Sequence, residues 1–491
     1  MTLSVTHVTE TRKLDGLLPL WVGIGVYVLL LAVGNGLLKD PDTYWQITLG
    51  QWMLDHRDVP HTDIYSFTMS GQPWISTQWL AQVLYALAYG VAGWAGPVIL
   101  AAASAALAIA LLARFLDARL SRTATLVILA AVLALMAGHL LARPHVLAMP
   151  VMVAWMAGLV EAMDPDLDRG RVPPFRLLPL MALWANLHGG FVLGLALIGP
   201  IALDVVRQAP KPDRIRLLLR WMLFGLAALV AGCITPYGWD ALMASRRILS
   251  LGAALAVIGE WRPADFGHAG PLECIVLGTF AFVLWRGITL PLMRIVLVIG
   301  FVYMALSHVR NAEVLALLAP LVLAKPIGEV FGRDSAKDVA SAPGRLVYAG
   351  FALCLIAGTF VLATVRHYKP TDEAAPAAAV DALHKLHVSR VFNDYDFGGY
   401  LIWRGVPTFI DGRTELFGEK FVIDHDRATL LKDPDSLFRL LKDYDIQATL
   451  MRTRSPAAKL LDRLDGWEKV YRDDLVTIHV RKGLGSGKVR E

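Results

Sequence analysis

Charge is scarce in this chain. Asp, Glu, Lys and Arg make up 18% of its 491 residues, and hydrophobic residues 56%. Soluble domains carry about 25% charge and about 45–50% apolar residues. A mean hydropathy of +0.51 therefore takes the chain out of the ordinary soluble class and into the membrane class. Cysteine is scarcer still. Cys233, Cys274 and Cys354 lie in or beside apolar runs and none falls in 368–491, so no disulfide staples that segment. The first apolar run is too long for a secretory leader and lacks a small-residue cleavage site, so Met1–Asp15 is expected to lead into a retained anchor. Histidine spacing gives no zinc signature, no Gly-x-x-x-x-Gly-Lys-Ser/Thr loop occurs, and no internal repeat is evident. The excess of basic residues, +5 with a pI near 9.0, forms no stripe on a soluble fold, which argues against nucleic acid.

What the chain has in abundance is apolar runs of spanning length. A bilayer helix needs about 20 largely apolar residues. Eleven candidate spans follow: 17–38, 96–116, 123–141, 145–163, 176–187, 189–206, 215–234, 271–285, 290–306, 311–324 and 345–365. With the N-terminus inside, the basic loops Arg114/Arg119/Arg122, Arg169/Arg171, Arg207/Lys211/Arg214 and Lys325/Arg333/Lys337 all fall in the cytoplasm. An odd number of spans delivers the C-terminal segment to the outside. Gln78–Trp94 is not counted: Gln78, Gln82, Trp79, Tyr85 and Tyr89 suit an amphipathic helix on the outer surface. The short run 176–187 ends in Asn186, His188, Gly189 and Gly190, a polar interruption that reads as a cavity lip.

Drawn this way, Asp40, Asp42, Arg143, His145, His188, Arg262, His308 and Arg310 collect at one membrane face. Ionisable groups at membrane depth mark function by default. Asp40-Pro41-Asp42 reads either as an exposed turn ending the first span, or as a carboxylate whose setting suits a general base. The pair is also compatible with a divalent cation. Arg143-Pro144-His145 and His308-Val309-Arg310 each read as a phosphate-holding fork with an imidazole donor, or as arginines snorkelling to the interface. Glu260-Trp261-Arg262, in a loop that also carries Arg246 and Arg247, reads as a substrate flank or as a Glu–Arg ion pair. Cations facing one carboxylate suit transfer from a lipid phosphate, whereas a nucleotide-linked donor would need a cytoplasmic site.

The first outward loop carries Asp42, Thr43 and Trp45, then Gly50, then Pro60, Asp63, Ser66 and Phe67, then Pro73, Trp74, Trp79 and Leu80. In this it resembles the GT-C membrane glycosyltransferases, the class of aminoarabinose and protein O-mannosyl transferases, and in particular a bacterial multispan group. The resemblance implies a polytopic helical fold, a polyprenyl-phosphate-linked sugar donor and an acidic loop residue as catalytic base, a role that falls on Asp42. Where relatives often have His after the Trp, this chain has Gln46. The likeness is strongest over the N-terminal third, and the same group carries Gly-Gly-Tyr-Leu-x-Trp and Asp-Gly-Arg stretches, here Gly398–Trp403 and Asp411–Arg413.

The expected organisation is a transmembrane domain over 1–366, a linker over 367–379 and a small periplasmic α/β domain over 380–491. In that domain strands are expected at 390–393, 400–403, 407–410, 448–451 and 475–480, and helices at 379–385, 435–444 and 457–464. Gly398-Gly399 and Asp411-Gly412 read as turn-formers or as an acceptor-binding element. The reading as a whole is a bacterial inner-membrane, multi-pass, inverting glycosyltransferase. It would move a sugar from a polyprenyl-phosphate donor to a hydroxyl of an envelope glycan, lipid or protein acceptor at the periplasmic face, with no certain cofactor. A transporter or flippase of lipid-linked intermediates is the alternative; it calls for charges at the bilayer midplane and paired repeats.

Overall fold

The computed structural model describes residues 17–164, 171–331 and 345–483. Met1–Asp15, Arg169, Arg333 and Lys337, which enter the orientation argument, lie outside the described residues. The chain divides into two compact units. One comprises Met1–Leu37, Pro97–Leu242 and Gly259–Tyr368; the other comprises Leu38–Gly96, Met243–Ile258 and Lys369–Glu491.

The first unit is helical, and every one of the eleven expected apolar runs carries a helix. By length and composition, Ala95–Asp117, Pro144–Glu161, Phe191–Gln208 and Lys211–Gly232 suffice to cross a membrane, and shorter apolar helices accompany them. Helices serve here because lipid offers no partner for a bare backbone group. Proline in the first turn starts the helices at Leu18, Pro144, Leu178 and Pro271, where its missing N–H costs nothing. Their outer faces expose Leu219, Val230, Phe280, Trp285, Tyr303 and Phe360, as a lipid-facing surface requires. Inside, Trp155 stacks on Phe224 and donates its indole N–H to the Gly194 carbonyl at 3.0 Å. The expected span at 189–206 is divided into Phe191–Ala196 and Ile198–Gln208, and His188 before it is extended, which breaks the run from Leu178–Leu187.

The second unit is α/β. Its four-stranded sheet has the order β1-β2-β4-β3, with β1 Val391–Asn393, β2 Ala448–Arg452, β3 Trp467–Arg472 and β4 Val476–Arg481. β1 runs parallel to β2, and the other two pairs are antiparallel. The expected strand over 400–403 is instead the helix Gly398–Trp403. The Asp394 side chain accepts the Asp396 N–H and sets a helical turn just ahead of it, and Tyr400, Leu401 and Ile402 are buried by that geometry. Tertiary packing overrides the β-propensity of those residues. The expected strand over 407–410 joins no ladder. Thr408 bridges Ser66 instead, exchanging backbone hydrogen bonds with Tyr65 and Phe67. β3 and the helix Thr414–Thr429, interrupted at Gly418 (φ 76°), were not expected.

The loop after the first span is integral to this unit. Its helices Asp42–His56 and Trp79–Ala92 pack together, and a side chain at Gly50 would strike the Gln82 carbonyl at 2.1 Å. Buried Gln82 donates to Gln46 at 2.6 Å and accepts from Ser76 at 2.8 Å. Gln46, the departure from the resembled pattern, is thus half of a buried amide pair. Of the polar residues of 78–94 that argued against a span, Gln82 is satisfied inside the unit. Tyr44 joins Tyr400, Trp403 and Trp94 in an edge-to-face aromatic cluster.

Candidate functional site

In the helical unit two of the sequence-predicted cations, Arg143 and Arg310, converge on one acid. The Pro144–Glu161 helix begins directly after Arg143, so Arg143 and His145 stand at its N-terminal end. Arg143 Nη1 donates to Glu260 Oε2 at 2.7 Å, and Arg310 Nη1 donates to Oε1 of the same carboxylate at 3.0 Å. Arg310 also lies 4.4 Å from the Trp261 ring centroid, and His308 Nδ1 sits 2.7 Å from the Trp261 carbonyl. Burial raises the Glu260 pKa, but the two guanidinium groups outweigh it and hold it down at about 2. Glu260 is therefore the resident anion of a site with two permanent cations.

His145 Nε2 lies 3.0 Å from the His139 carbonyl and 3.4 Å from Glu313 Oε2; its ring is 6.2 Å from that of His188. His188 Nδ1 accepts the Gly190 N–H at 3.1 Å, so the Gly-Gly stretch folds back on the imidazole. Arg262 does not join the cluster: its side chain is exposed, and only its carbonyl takes part, accepting the Val309 N–H at 3.0 Å. Glu260 does make an ion pair, with Arg143 and Arg310 rather than Arg262. Arg246 and Arg247 belong to the other unit. Sequence reasoning passed over His139 and Glu313. A lone Glu opening the apolar Ala312–Phe331 helix was the available signal.

A second set of charges lies at the far end of the same helix, roughly 27 Å away at 1.5 Å per residue. There Glu161 meets Arg119 at 3.7 Å, and Asp164 meets Lys325 at 2.6 Å. The histidines and the paired arginines are at the opposite end.

In the α/β unit the two motif regions prove to be one construction. Asp42 is the first residue of its helix, and its N–H donates to Asp40 Oδ1 at 2.7 Å. A side chain at Gly412 would lie 2.0 Å from Asp42 Oδ1, and one at Gly399 would lie 2.2 Å from the Pro41 carbonyl. Only glycine lets these backbones approach the Asp40-Pro41-Asp42 turn. Next to them the fully buried Arg413 grips Asp411 bidentately, at 2.8 and 2.7 Å, and reaches Asp63 with its other nitrogen at 2.5 Å. Asp63 in turn caps the loop by accepting from Ser66 Oγ at 2.6 Å and from the Tyr65 and Ser66 amides. Burial opposes the charge on Arg413, but Asp411 and Asp63 outweigh it and raise its pKa. The Asp-Gly-Arg stretch is thus both a turn and a clamp. Among the described residues no group of three or more His, Cys, Asp or Glu is disposed to hold a metal.

This architecture, a helical membrane unit with a small α/β unit, is shared with a known transferase. The chain aligns with ArnT from Cupriavidus metallidurans bound to undecaprenyl phosphate at a TM-score of 0.50 and 16% identity, over 95% of this chain and 98% of that one. With the apo form of ArnT the TM-score is 0.51 and the identity 16%, over 94% and 97%. The Archaeoglobus fulgidus oligosaccharyltransferase in its apo form aligns at 0.49 and 11% identity, over 88% of this chain and 69% of that one. No protein-family model and no curated protein sequence matches the chain. At 16% identity what is shared with ArnT is the fold. It is a polytopic helical membrane fold, as the apolar runs led one to expect.

Proposed function

We propose that the chain is a membrane glycosyltransferase. It would take a sugar from a polyprenyl-phosphate donor and pass it to an acceptor hydroxyl at the extracytoplasmic face. The observation that carries this reading is the pair of arginines, Arg143 and Arg310, forked onto a single carboxylate within a fold shared with an undecaprenyl-phosphate-bound transferase. Two guanidinium groups that can exchange Glu260 for a phosphate supply bidentate binding and neutralise the charge that builds on a departing phosphate. His145, His188 and His308 add donors around them. Asp42 is the proposed base. The acceptor hydroxyl loses its proton to this carboxylate, its oxygen bonds to the anomeric carbon, and the bond from that carbon to the phosphate oxygen breaks. Attack opposite the leaving group inverts the anomeric centre. Asp40, which accepts the Asp42 N–H, would orient it.

The orientation rests on the positive-inside rule. Arg119 and Lys325 stand at the end of the Pro144–Glu161 helix opposite the arginine pair, which supports an extracytoplasmic site. Charges that sit at the two ends of this helix rather than along its middle also favour transfer over transport, since a transporter needs them near the midplane.

The test is the envelope glycan profile of a deletion strain, read by mass spectrometry, with wild type or Asp42→Asn restored at equal membrane abundance. Loss of one defined sugar, recovered by wild type and reduced by about 10²–10⁴-fold in the variant, is the expected result for a missing general base. Full recovery by Asp42→Asn would remove Asp42 from catalysis and favour the transporter.

A further inference from the structure

The α/β unit holds a cavity that the transfer chemistry does not use. It measures about 170 Å³ and is lined by Asp394, Asp396, Asp426, His425, Thr429 and Tyr395, with Val257, Ile258, Ile410, Val422 and Leu430 as its apolar wall. Residues 257 and 258 come from the segment 243–258 that this unit takes from the middle of the chain, anchored where the Ala253 N–H donates to Glu419 at 2.7 Å.

Several polar groups of the lining are already engaged. Asp396 accepts from Arg452 at 2.8 Å, Asp426 from Lys432 at 2.9 Å, and His425 Nε2 sits 2.9 Å from the Asn393 carbonyl. Two are left short. Thr429 Oγ1 is buried without a hydrogen-bond partner. Asp394 is 8% exposed; its Oδ1 accepts the Asp396 N–H at 3.2 Å and lies 3.8 Å from Arg452 Nε, and the Arg452 backbone N–H also bonds to this carboxylate. Buried polar atoms are almost always satisfied, so each such exception calls for a partner.

The shape of the lining limits what that partner is. The carboxylates do not converge on a point as metal ligands would, because no group of three among the described residues can hold an ion. They are spread around a space worth five or six waters at roughly 30 Å³ each, far below the ~300–1,000 Å³ of drug-sized sites. A lining that combines several acceptors with aliphatic side chains matches a ring that presents hydroxyls at its rim and C–H bonds on its face.

We propose that this cavity is a carbohydrate-binding site that takes one sugar ring, with Asp394 and Thr429 accepting from and donating to its hydroxyls. The site stands on its own geometry and needs no transferase activity to be read. It gives the α/β unit a means of selecting a glycan independently of the arginine pair.

The experiment is saturation-transfer NMR on the full-length protein in lipid nanodiscs, avoiding maltoside detergents whose sugars would compete. The probes are methyl glycosides of glucose, galactose, mannose, arabinose and N-acetylglucosamine, with matching disaccharides to separate a free sugar from the end of a glycan. Transfer to the ring protons of at least one probe is expected. Its affinity should fall about tenfold in Asp394→Asn, as for a hydrogen bond to a charged group, and measurably in the isosteric Thr429→Val with unchanged thermal stability. No transfer to any probe in the wild type, or transfer undiminished in both variants, would overturn the proposal. If Asp394→Asn does not fold, Thr429→Val decides.

Discussion

His425 and Asp394 face the same cavity and titrate in opposite senses. Burial is the largest influence on His425, lowering its pKa to about 4, while the Asn393 carbonyl raises it in part. The unfolded chain, with an ordinary histidine near 6.5, takes up a proton first as pH falls. Stability from neutral His425 is therefore present above about 6.5 and is lost between about 6.5 and 4. Burial, then the neighbouring Asp396, push Asp394 up to about 6. The folded form holds its proton more tightly, so this contribution is present below about 4 and is lost as pH rises to about 6. Each shift is worth about 3 kcal/mol at 1.36 kcal/mol per unit, and the two nearly cancel between pH 4 and 6. Relative to wild type, Asp394→Asn should gain stability as pH rises across that window and His425→Gln should lose it. Intrinsic-fluorescence melting across pH checks both signs, and parallel curves for all three proteins would contradict the prediction. These roles were not legible in the sequence. In the sequence Asp394 is one acid between two expected strands, and His425 one polar position on an unanticipated helix.

At the scale of elements, the loop at 60–74 and the turn at 411–413 are separated by more than 330 residues and are held by one guanidinium. Arg413 is enclosed by Asp63 and Asp411 and flanked by Tyr65 and Trp74, whose ring centroids lie 5.4 and 5.0 Å away. Removing it leaves two buried carboxylates without their cation, a loss of about 3–5 kcal/mol. Arg413→Ala should lower the melting temperature of the α/β unit sharply, and Asp63→Asn less so, because Asp411 still pairs. A melting curve unmoved by Arg413→Ala would show that the clamp is redundant. The sequence displayed both halves, the Pro-x-x-Asp-x-x-Ser-Phe run and the Asp-Gly-Arg turn, as separate patterns. Local pattern holds no record of pairing across such a distance. The same blindness explains 407–410, whose extended residues pair with the first loop rather than with the sheet.

For the whole molecule, the α/β unit is not the C-terminal segment alone. Tyr44 lies within its core beside Tyr400, Leu401 and Phe397, and Trp45, Leu49, Met53 and Trp74 pack with Ile402. Expressed alone, 369–491 would expose these faces. It should aggregate or melt well below the same segment co-expressed with 38–96, as size-exclusion chromatography and circular dichroism would read. Equal stability of the two would mean that the first loop merely rests on a finished domain.

Hydropathy determined the membrane class, because eleven apolar runs have no other place in water, and all eleven became helices, the one structure whose backbone satisfies itself in lipid. Composition likewise marked out an α/β end, and the placing of Arg143 and Arg310 beside apolar runs singled out two residues that now grip one acid. The tertiary structure decided which acid that is, since Glu260 meets Arg143 across more than a hundred residues and turns away from adjacent Arg262. It also decided that Gln46 pairs with Gln82, that Gly412 lies against Asp42, and that a segment from the chain's middle walls a cavity in its end. The physical reason is range: periodicity and turn chemistry act over a few residues, whereas charge pairing and close packing are satisfied by whatever the folded chain brings near.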